Sequence, residues 1–452
     1  MSTLEADVVI VGGGLAGGVA ALAAARRGAR VLLLEKNTSP GGVAVAARVH
    51  SMLTFHGREG ERIVGGIPQE IIDRLKERGG TCGHILDTIG VAHSVTPFDP
   101  DSLGLLLQEM LDEAGVTLLL ETSFTGAKVS SQRIEAVTFF SSGGHGEARA
   151  PLYIDASGEG ALAARAGCPF ERGRAGPVMP ATLIFSVRSI DLGKVCSYME
   201  SHHDEFHGET LFSHVRKTPA LGVSGFFTLW REAALPVPRD RLLFYQTLNS
   251  DEVSINSTRV LGYDPLDNAA AAGAYRAARE QVFQIFRFLR SSVPGFESSV
   301  ISAVAPSLGL REVRRIRGDY VLTGEDVVKG ARFPDEVALG GFPVDIHLPG
   351  ASGIETVSLG GRGFYGVPYR CLLPAGAANL LVVGKCFSAS FEAHASGRVQ
   401  ATAMATGHAA GAACALALRR KCSPRELDAG EVRRELAEEG AILEPCGKDD
   451  LP

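Results

Sequence analysis

A short apolar run that ends in glycines constrains this chain more than any other stretch. Asp7-Val-Val-Ile-Val11 leads into Gly12-Gly-Gly-Leu-Ala-Gly-Gly18, and a helix-forming run from Val19 to Arg27 follows at once. The spacing Gly12-x-Gly14-x-x-Gly17 reads as a strand, a turn that only glycine makes, and a helix whose free N–H groups face a pyrophosphate. Gly12 allows the tight turn, Gly14 a close backbone approach, and Gly17 the close packing of helix on sheet. Gly28-Ala-Arg30 then opens a second apolar run, Val31-Leu-Leu-Leu34, which ends in Glu35. An acid at that distance suits hydrogen bonds to the hydroxyls of an adenosine ribose. A lone glycine triplet says little; strand, glycines, helix, strand and acid in order read as a nucleotide-binding βαβ unit.

Composition limits what surrounds that unit. A chain of 452 residues with 45% hydrophobic and 21% charged content is long enough for two or three domains with their own cores. A formal charge of −6 gives no basic field to attract nucleic acid or anionic lipid. No apolar run reads as a membrane span, and Glu5 and Asp7 ahead of the first apolar run are unlike a secretory leader. Cysteines 82, 168, 196, 371, 386, 414, 422 and 446 form no Cys-x-x-Cys pair, which favours free thiols and a cytoplasmic setting over zinc or redox disulfides. His202-His-Asp-Glu-Phe-His207 lacks further ligands at useful spacing and reads as a solvated helix face, so no metal is expected.

Along the chain the βα rhythm appears, lapses and returns. Lys36 and the glycine pair Gly41-Gly42 follow Glu35 and can lay backbone N–H groups against a phosphate or a flavin; a plain turn is the bland alternative. Helices are predicted from Pro68 to Arg78 and from Asp99 to Ala114, with a strand from Val116 to Leu120. Residues 126–140 and 149–154 read as a β-meander around Ser142–Gly146. Tyr153-Ile-Asp155-Ala-Ser-Gly-Glu-Gly160 is again a strand ending in small residues that admit a cofactor. Residues 169–310 lose the rhythm, with strands at Thr182–Val187 and Glu252–Ile255 and a long helix from Ala269 to Arg290. Asn379–Gly384 then reads as strand into glycine, followed by a small-residue helix from Gln400 to Leu418. The expected fold is α/β, a discontinuous Rossmann-like domain formed by residues 1–170 and 375–420, with an inserted α+β substrate or cap domain at 171–374 and a C-terminal helix and tail at 421–452.

With these pieces the chain resembles the FAD-dependent oxidoreductase family of the glutathione-reductase-like superfamily, related to the fumarate reductase and succinate dehydrogenase flavoproteins. The resemblance rests on Gly12, Gly14 and Gly17, Glu35-Lys36 with Gly41-Gly42, and Ile154-Asp155-Ala-Ser-Gly-Glu-Gly160. It also rests on Leu310-Arg311-Glu312-x-Arg314-Arg315, Pro368-Tyr369-Arg370-Cys371-Leu372-Leu373-Pro374, and the segment Gly384–Gly411. It implies FAD as cofactor, with Gly384 and the N-terminus of the helix after Arg398 near the flavin ring. Ala156, Ser157 and Gly158, with Leu15, Ala16, Val129, Val399 and Gln400, complete the residues expected at the cofactor. The absence of a second Gly-x-Gly-x-x-Gly unit with a downstream acid argues against a separate NAD domain.

A bound flavin carries the hydride chemistry, and the protein orients substrate and manages protons. In fumarate-reductase-like relatives, arginines and histidines clamp carboxylates; Arg398 and His347 resemble members of that set, although Asn-Arg-Leu-Gly in the relatives is Gly-Arg-Val-Gln here. Arg311, Arg370 and His394 are the further catalytic candidates, against the bland reading of salt-bridge or core residues. The expected activity is hydride transfer between flavin N5 and a small polar or carboxylate-bearing molecule. A flavin-dependent monooxygenase, a flavoprotein subunit with an electron-transfer partner, and a nucleotide-bound scaffold are the alternatives. A homo-oligomer is left open.

Overall fold

The computed structural model describes residues 2–174, 176–445 and 447–452. Its organising sheet is five-stranded and wholly parallel, in the order Leu380–Val382, Leu152–Asp155, Val8–Val11, Val31–Leu34, Thr117–Leu119. All of its central strands are buried on both faces, as the unbroken apolar runs demand. The strand nearest the C-terminus therefore lies beside one that precedes it by more than two hundred residues. A four-stranded sheet of Ser2–Glu5, Gly144–Arg149, Arg133–Ser141 and Ser123–Ser130 contains the expected meander and adds an N-terminal strand that sequence reading missed.

Two helices decide how the ends of the chain meet. Leu15–Arg26 is Ala- and Gly-rich with almost no polar face, and Gln400–Arg420 is built the same way; they pack on each other along most of the shorter one's length. Small residues make that approach possible. A Cβ on Gly407 would sit 2.1 Å from the Ala16 carbonyl oxygen, and one on Gly411 would sit 2.3 Å from that of Ala20. Gln400–Arg420 is long and apolar enough to cross a membrane, contrary to the reading of the bare sequence, and 89% of its most apolar window is buried inside the protein. It is packed as a core helix.

A second apolar core is formed by residues between Ala181 and Leu308. There an antiparallel sheet, ordered Gly222–Gly225, Leu242–Gln246, Glu252–Ile255, Phe185–Arg188, Val300–Val304, packs against the helix Ala271–Ser292. The two-residue period sorts its side chains. Leu242, Phe244, Val253 and Ile255 enter the core, whereas Leu243, Tyr245, Ser254 and Asn256 point into a cavity facing the nucleotide domain. Side chains from residues 322–373 pack into the first core instead, where Glu336–Gly340 pairs with Tyr365–Pro368 beside Gln400–Arg420. Among the described residues the cysteines are unpaired; Cys446 lies outside them. His202 and His203 are exposed, and no group of three or more potential metal ligands occurs among the described residues.

The helix contact yields a direct test. Gly411→Val should lower unfolding stability by ~2 kcal/mol or more, because no side-chain shift relieves a clash with backbone. Gly273→Ala, on an exposed turn of Ala271–Ser292 with nothing within 4 Å, should leave stability equal or raise it by up to ~1 kcal/mol. Urea melts read both; equal midpoints for Gly411→Val and wild type would contradict the packing.

Candidate functional site

Two adjoining cavities lie between the parallel sheet and the second core. The first, of about 480 Å³, is bounded by the Gly12–Ala16 turn, Glu35, Gly41-Gly42, Ala156–Gly158 and Gly384. The second, of about 410 Å³, lies under the antiparallel sheet. Val43, Leu310, Lys385, Arg398 and Gln400 line both, so they form the common wall.

The first cavity is built by backbone. Gly12 has φ +102°, and a Cβ there would strike Ala156 and Ser157; a Cβ on Gly17 would lie 1.9 Å from the Gly12 carbonyl oxygen. Gly14 differs: its φ is −62° and its Cβ would meet only Gly42 Cα at 3.8 Å. Nothing in the protein demands glycine at that position, and the space beside it is the cavity. Gly41 N–H donates to the Gly13 carbonyl at 2.8 Å, which seats the second glycine loop on the first. Asp155 braces the third wall, accepting from Ser157 N–H, Ser157 Oγ and Ala163 N–H.

Helix ends give the cavity its charge preference. Leu15–Arg26 begins with no side-chain cap and no acid in its first turn, and Gln400–Arg420 begins the same way. The residues at both N-termini line the cleft. Uncapped N–H groups and the positive end of the helix dipole therefore face it from two directions. Glu35 Oε2 accepts from Gly13 N–H at 2.7 Å, and Oε1 accepts from Asn37 N–H at 2.8 Å and Asn37 Nδ2 at 2.6 Å. A carboxylate has about four acceptor positions, so room remains for one ribose hydroxyl rather than the pair expected. An anionic dinucleotide fits these donors, this glycine-lined gap and this acid.

The second cavity is built by side chains. His347 Nε2 lies 3.1 Å from Asp345 Oδ2, and Arg398 Nη2 lies 3.2 Å from the same oxygen. Burial works to raise the Asp345 pKa, but the hydrogen bond with His347 and the charges of Arg398 and Arg311 outweigh it and hold the carboxylate below its ordinary range. Burial and the neighbouring Arg311 push His347 well below its usual value despite Asp345, so the ring is neutral. With Nε2–H assigned toward Asp345, Nδ1 is a buried acceptor with no partner among the described residues. Arg311 Nη1 donates to the Pro180 carbonyl and to Thr182 Oγ1, both at 2.7 Å. Lys385 Nζ donates to the Leu310 carbonyl at 2.7 Å; burial lowers its pKa to about 8, against the pull of Glu159.

Against the expected residues, the structure brings Gly12, Gly14, Leu15, Ala16, Glu35, Lys36, Gly41, Gly42, Ala156, Ser157, Gly158, Gly384 and Gln400 to the first cavity. Gly17 stands behind it in the helix–sheet contact. Arg311, His347, Arg398 and Val399 come to the second. Three expectations are corrected. Arg370 is half exposed, pairs with Asp335 and lies over Tyr320, outside both cavities. His394 is fully buried and lines neither; burial, with Arg398 and Arg315, keeps it neutral behind the wall. Val129 is 40% exposed on a hairpin of the four-stranded sheet and touches neither cavity. Of the histidines after the glycine loop, His50 reaches the second cavity, whereas His56 is buried between Ser94 and Asp449. Sequence reading missed Lys385, Asp345 and Arg239, since no motif marks them.

A discontinuous parallel sheet with a glycine-turn cleft and a capping sheet defines a dinucleotide-binding α/β protein. The chain belongs to the FAD dependent oxidoreductase family, whose model matches residues 7–436, and FAD is its cofactor. No curated protein matches it. Among solved structures, a geranylgeranyl bacteriochlorophyll reductase-like protein from Thermoplasma acidophilum aligns at 12% identity and TM-score 0.50, over 98% of this chain and 85% of that one. Pseudomonas aeruginosa PqsL, in complex with 2-aminobenzoylacetate, aligns at 14% identity and TM-score 0.43, over 97% and 94%. A flavoprotein/dehydrogenase from Cytophaga hutchinsonii aligns at 14% identity and TM-score 0.42, over 92% and 79%. At such identities the likeness is in fold alone.

Gly14 separates cofactor binding from folding. Gly14→Val should leave the melting of the apoprotein unchanged and weaken FAD affinity about tenfold or more, since the branched side chain occupies the cavity and not the core. Full flavin retention in that variant would contradict the placement of the cofactor beside Gly14.

Proposed function

We propose that this flavoprotein oxidises or reduces a small anionic, carboxylate-bearing substrate held in the second cavity. The observation that carries the reading is the common wall: Lys385, Arg398 and Gln400 border the glycine-built cavity on one side and the cationic cavity on the other. Bound FAD supplies two-electron hydride chemistry. Gly14, Glu35, the Gly41-Gly42 loop and the first helix would hold its nucleotide half, and Gly384 with the N-terminus of the closing helix its ring.

The chain's own groups then have distinct tasks. Arg311 and Arg398 bind and orient the substrate carboxylate, and the buried setting strengthens both contacts. Asp345 fixes Arg398 and His347 relative to each other. Neutral His347 offers Nδ1 to take the proton from a substrate hydroxyl or amine, or to return it in the reverse direction. Leu53, Ile89, Ile184, Leu243 and Phe342 supply apolar walls that keep bulk water away from the reacting carbon.

The test is anaerobic reduction of the purified holoenzyme by a panel of hydroxy, amino and saturated carboxylates, and, for the reverse direction, reoxidation of the photoreduced holoenzyme by oxo, imino and unsaturated carboxylates. Bleaching of the flavin by one of the donors, or return of its colour with one of the acceptors, is the expected result. With that substrate, Arg398→Gln should lower kcat/KM on the order of 10²-fold, and His347→Gln should lower kcat by a similar factor, about 10²-fold. Unchanged turnover in both variants, with FAD retained, would overturn these roles. Oxygen consumption that requires both a reduced nicotinamide and the substrate would instead assign a monooxygenase.

Lys385 makes the reading pH-dependent. The ammonium is charged below about 8 and neutral above it, so anion affinity should fall as pH rises through that value. In Lys385→Met the fall should vanish. A KM that is flat across this range in wild type would remove Lys385 from substrate binding.

A further inference from the structure

An anionic substrate accounts for the cations at the common wall and leaves Arg239 unexplained. Six cationic side chains line the second cavity (Arg48, Arg239, Arg241, Arg311, Lys385 and Arg398) against a single carboxylate, Asp345. Most have partners. Arg398 shares Asp345 with His347, Arg311 is bonded to Pro180 and Thr182, Lys385 to Leu310, and Arg48 lies 3.5 Å from Asp101. Arg241 grips Asp240 with two hydrogen bonds of 2.9 and 2.8 Å.

Arg239 has none of this. Its residue is 5% exposed, and buried Nε and Nη2 find no hydrogen-bond partner among the described residues. Its backbone is fixed, with N–H donating to the Val237 carbonyl and the carbonyl accepting from Trp230 Nε1, each at 2.7 Å. The backbone is thus fixed while the guanidinium forms no ion pair among the described residues; Asp240 and Asp345 favour its charge from a distance without contacting it. Burial, with Arg259 and Arg241 nearby, pushes its pKa down to about 10, so it stays cationic at neutral pH. A desolvated, unpaired guanidinium is among the most costly groups a protein can bury, and a bound anion removes most of that cost.

Position separates it from the other cations. Lys385 and Arg398 border both cavities, whereas Arg239 borders only the second and comes from the segment that feeds the capping strand Leu242–Gln246. Apolar Ile89, Ile184 and Leu243 line the same cavity. We infer that Arg239 is a second anion-binding subsite, supplied by the capping sheet, and that the substrate is a dianion with an apolar body between two charged groups. This rests on the reading given above: one carboxylate meets Arg311 and Arg398, and the second group, carboxylate or phosphate, meets Arg239. Planar, five-donor geometry suits either one.

The test uses the holoenzyme, with perturbation of its visible flavin spectrum as reporter, at constant ionic strength. Linear α,ω-dicarboxylates from succinate to suberate, ω-phosphonocarboxylates, and monocarboxylates of matched length are titrated separately. At least one dianion should bind about tenfold or more tighter than its matched monoanion. Arg239→Gln should erase that advantage and leave monoanion affinity within about twofold. Arg239→Lys, which keeps the charge but loses the fork, should keep part of the advantage, and it serves if the glutamine variant fails to hold FAD. The tighter dianion series tells carboxylate from phosphate recognition. Monoanion binding with no dianion advantage at any length overturns the second subsite while leaving the anionic-substrate reading intact. No response to any anion overturns that reading and the subsite with it.

Discussion

The contact on which the rest depends is backbone against backbone, where Gly407 and Gly411 of the closing helix meet the carbonyls of Ala16 and Ala20. Apolar residues of ordinary size would hold two helices 8–10 Å apart; glycine and alanine let these two come closer. That contact joins the two ends of the chain. It sets the strand Leu380–Val382 beside Leu152–Asp155, and it aims two uncapped helix N-termini at one cleft. The cofactor site is thus a product of helix packing before it is a set of side chains.

Charge is distributed to match. In the glycine-built cavity peptide dipoles, which suit a pyrophosphate, add to the charges of Lys36, Lys385 and Arg398. In the second cavity the potential comes from guanidinium and ammonium groups of the capping domain, the Leu310-Arg311 turn and the closing segment. Asp345 tempers that field and ties His347 to Arg398. Val43, Leu310, Lys385, Arg398 and Gln400 wall both cavities.

Much of the frame was legible in the sequence because periodicity and glycine report local physics. Val8–Val11, Val31–Leu34 and the Gln400 helix announce themselves by unbroken apolar or small-residue runs, and helices predicted at 68–78 and 99–114 occur at Ile67–Glu77 and Pro100–Glu113. The site was legible where backbone makes it and, through the family resemblance, at Arg311, His347 and Arg398, but not at the other side chains of the second cavity. Arg370 and Arg398 look alike in sequence; tertiary folding alone gives Arg370 to Asp335 at the surface and Arg398 to Asp345 in the cavity. Arg239 follows a Pro-Val-Pro run without a motif, and its meaning depends on a missing partner, which no sequence pattern records. His394 stands only four residues before Arg398, but it is fully buried in the short helix Phe391–Gly397.

The central claim is that the flavin ring meets the substrate across the wall shared by the two cavities. A crystal structure of the holoenzyme tests it most directly. The nucleotide is expected along Gly12–Leu15 and Glu35, and the isoalloxazine against Lys385, Leu310 and Gln400 with one face open to the cationic cavity. A ring turned away from that cavity, or a nucleotide bound outside the glycine cleft, would contradict it.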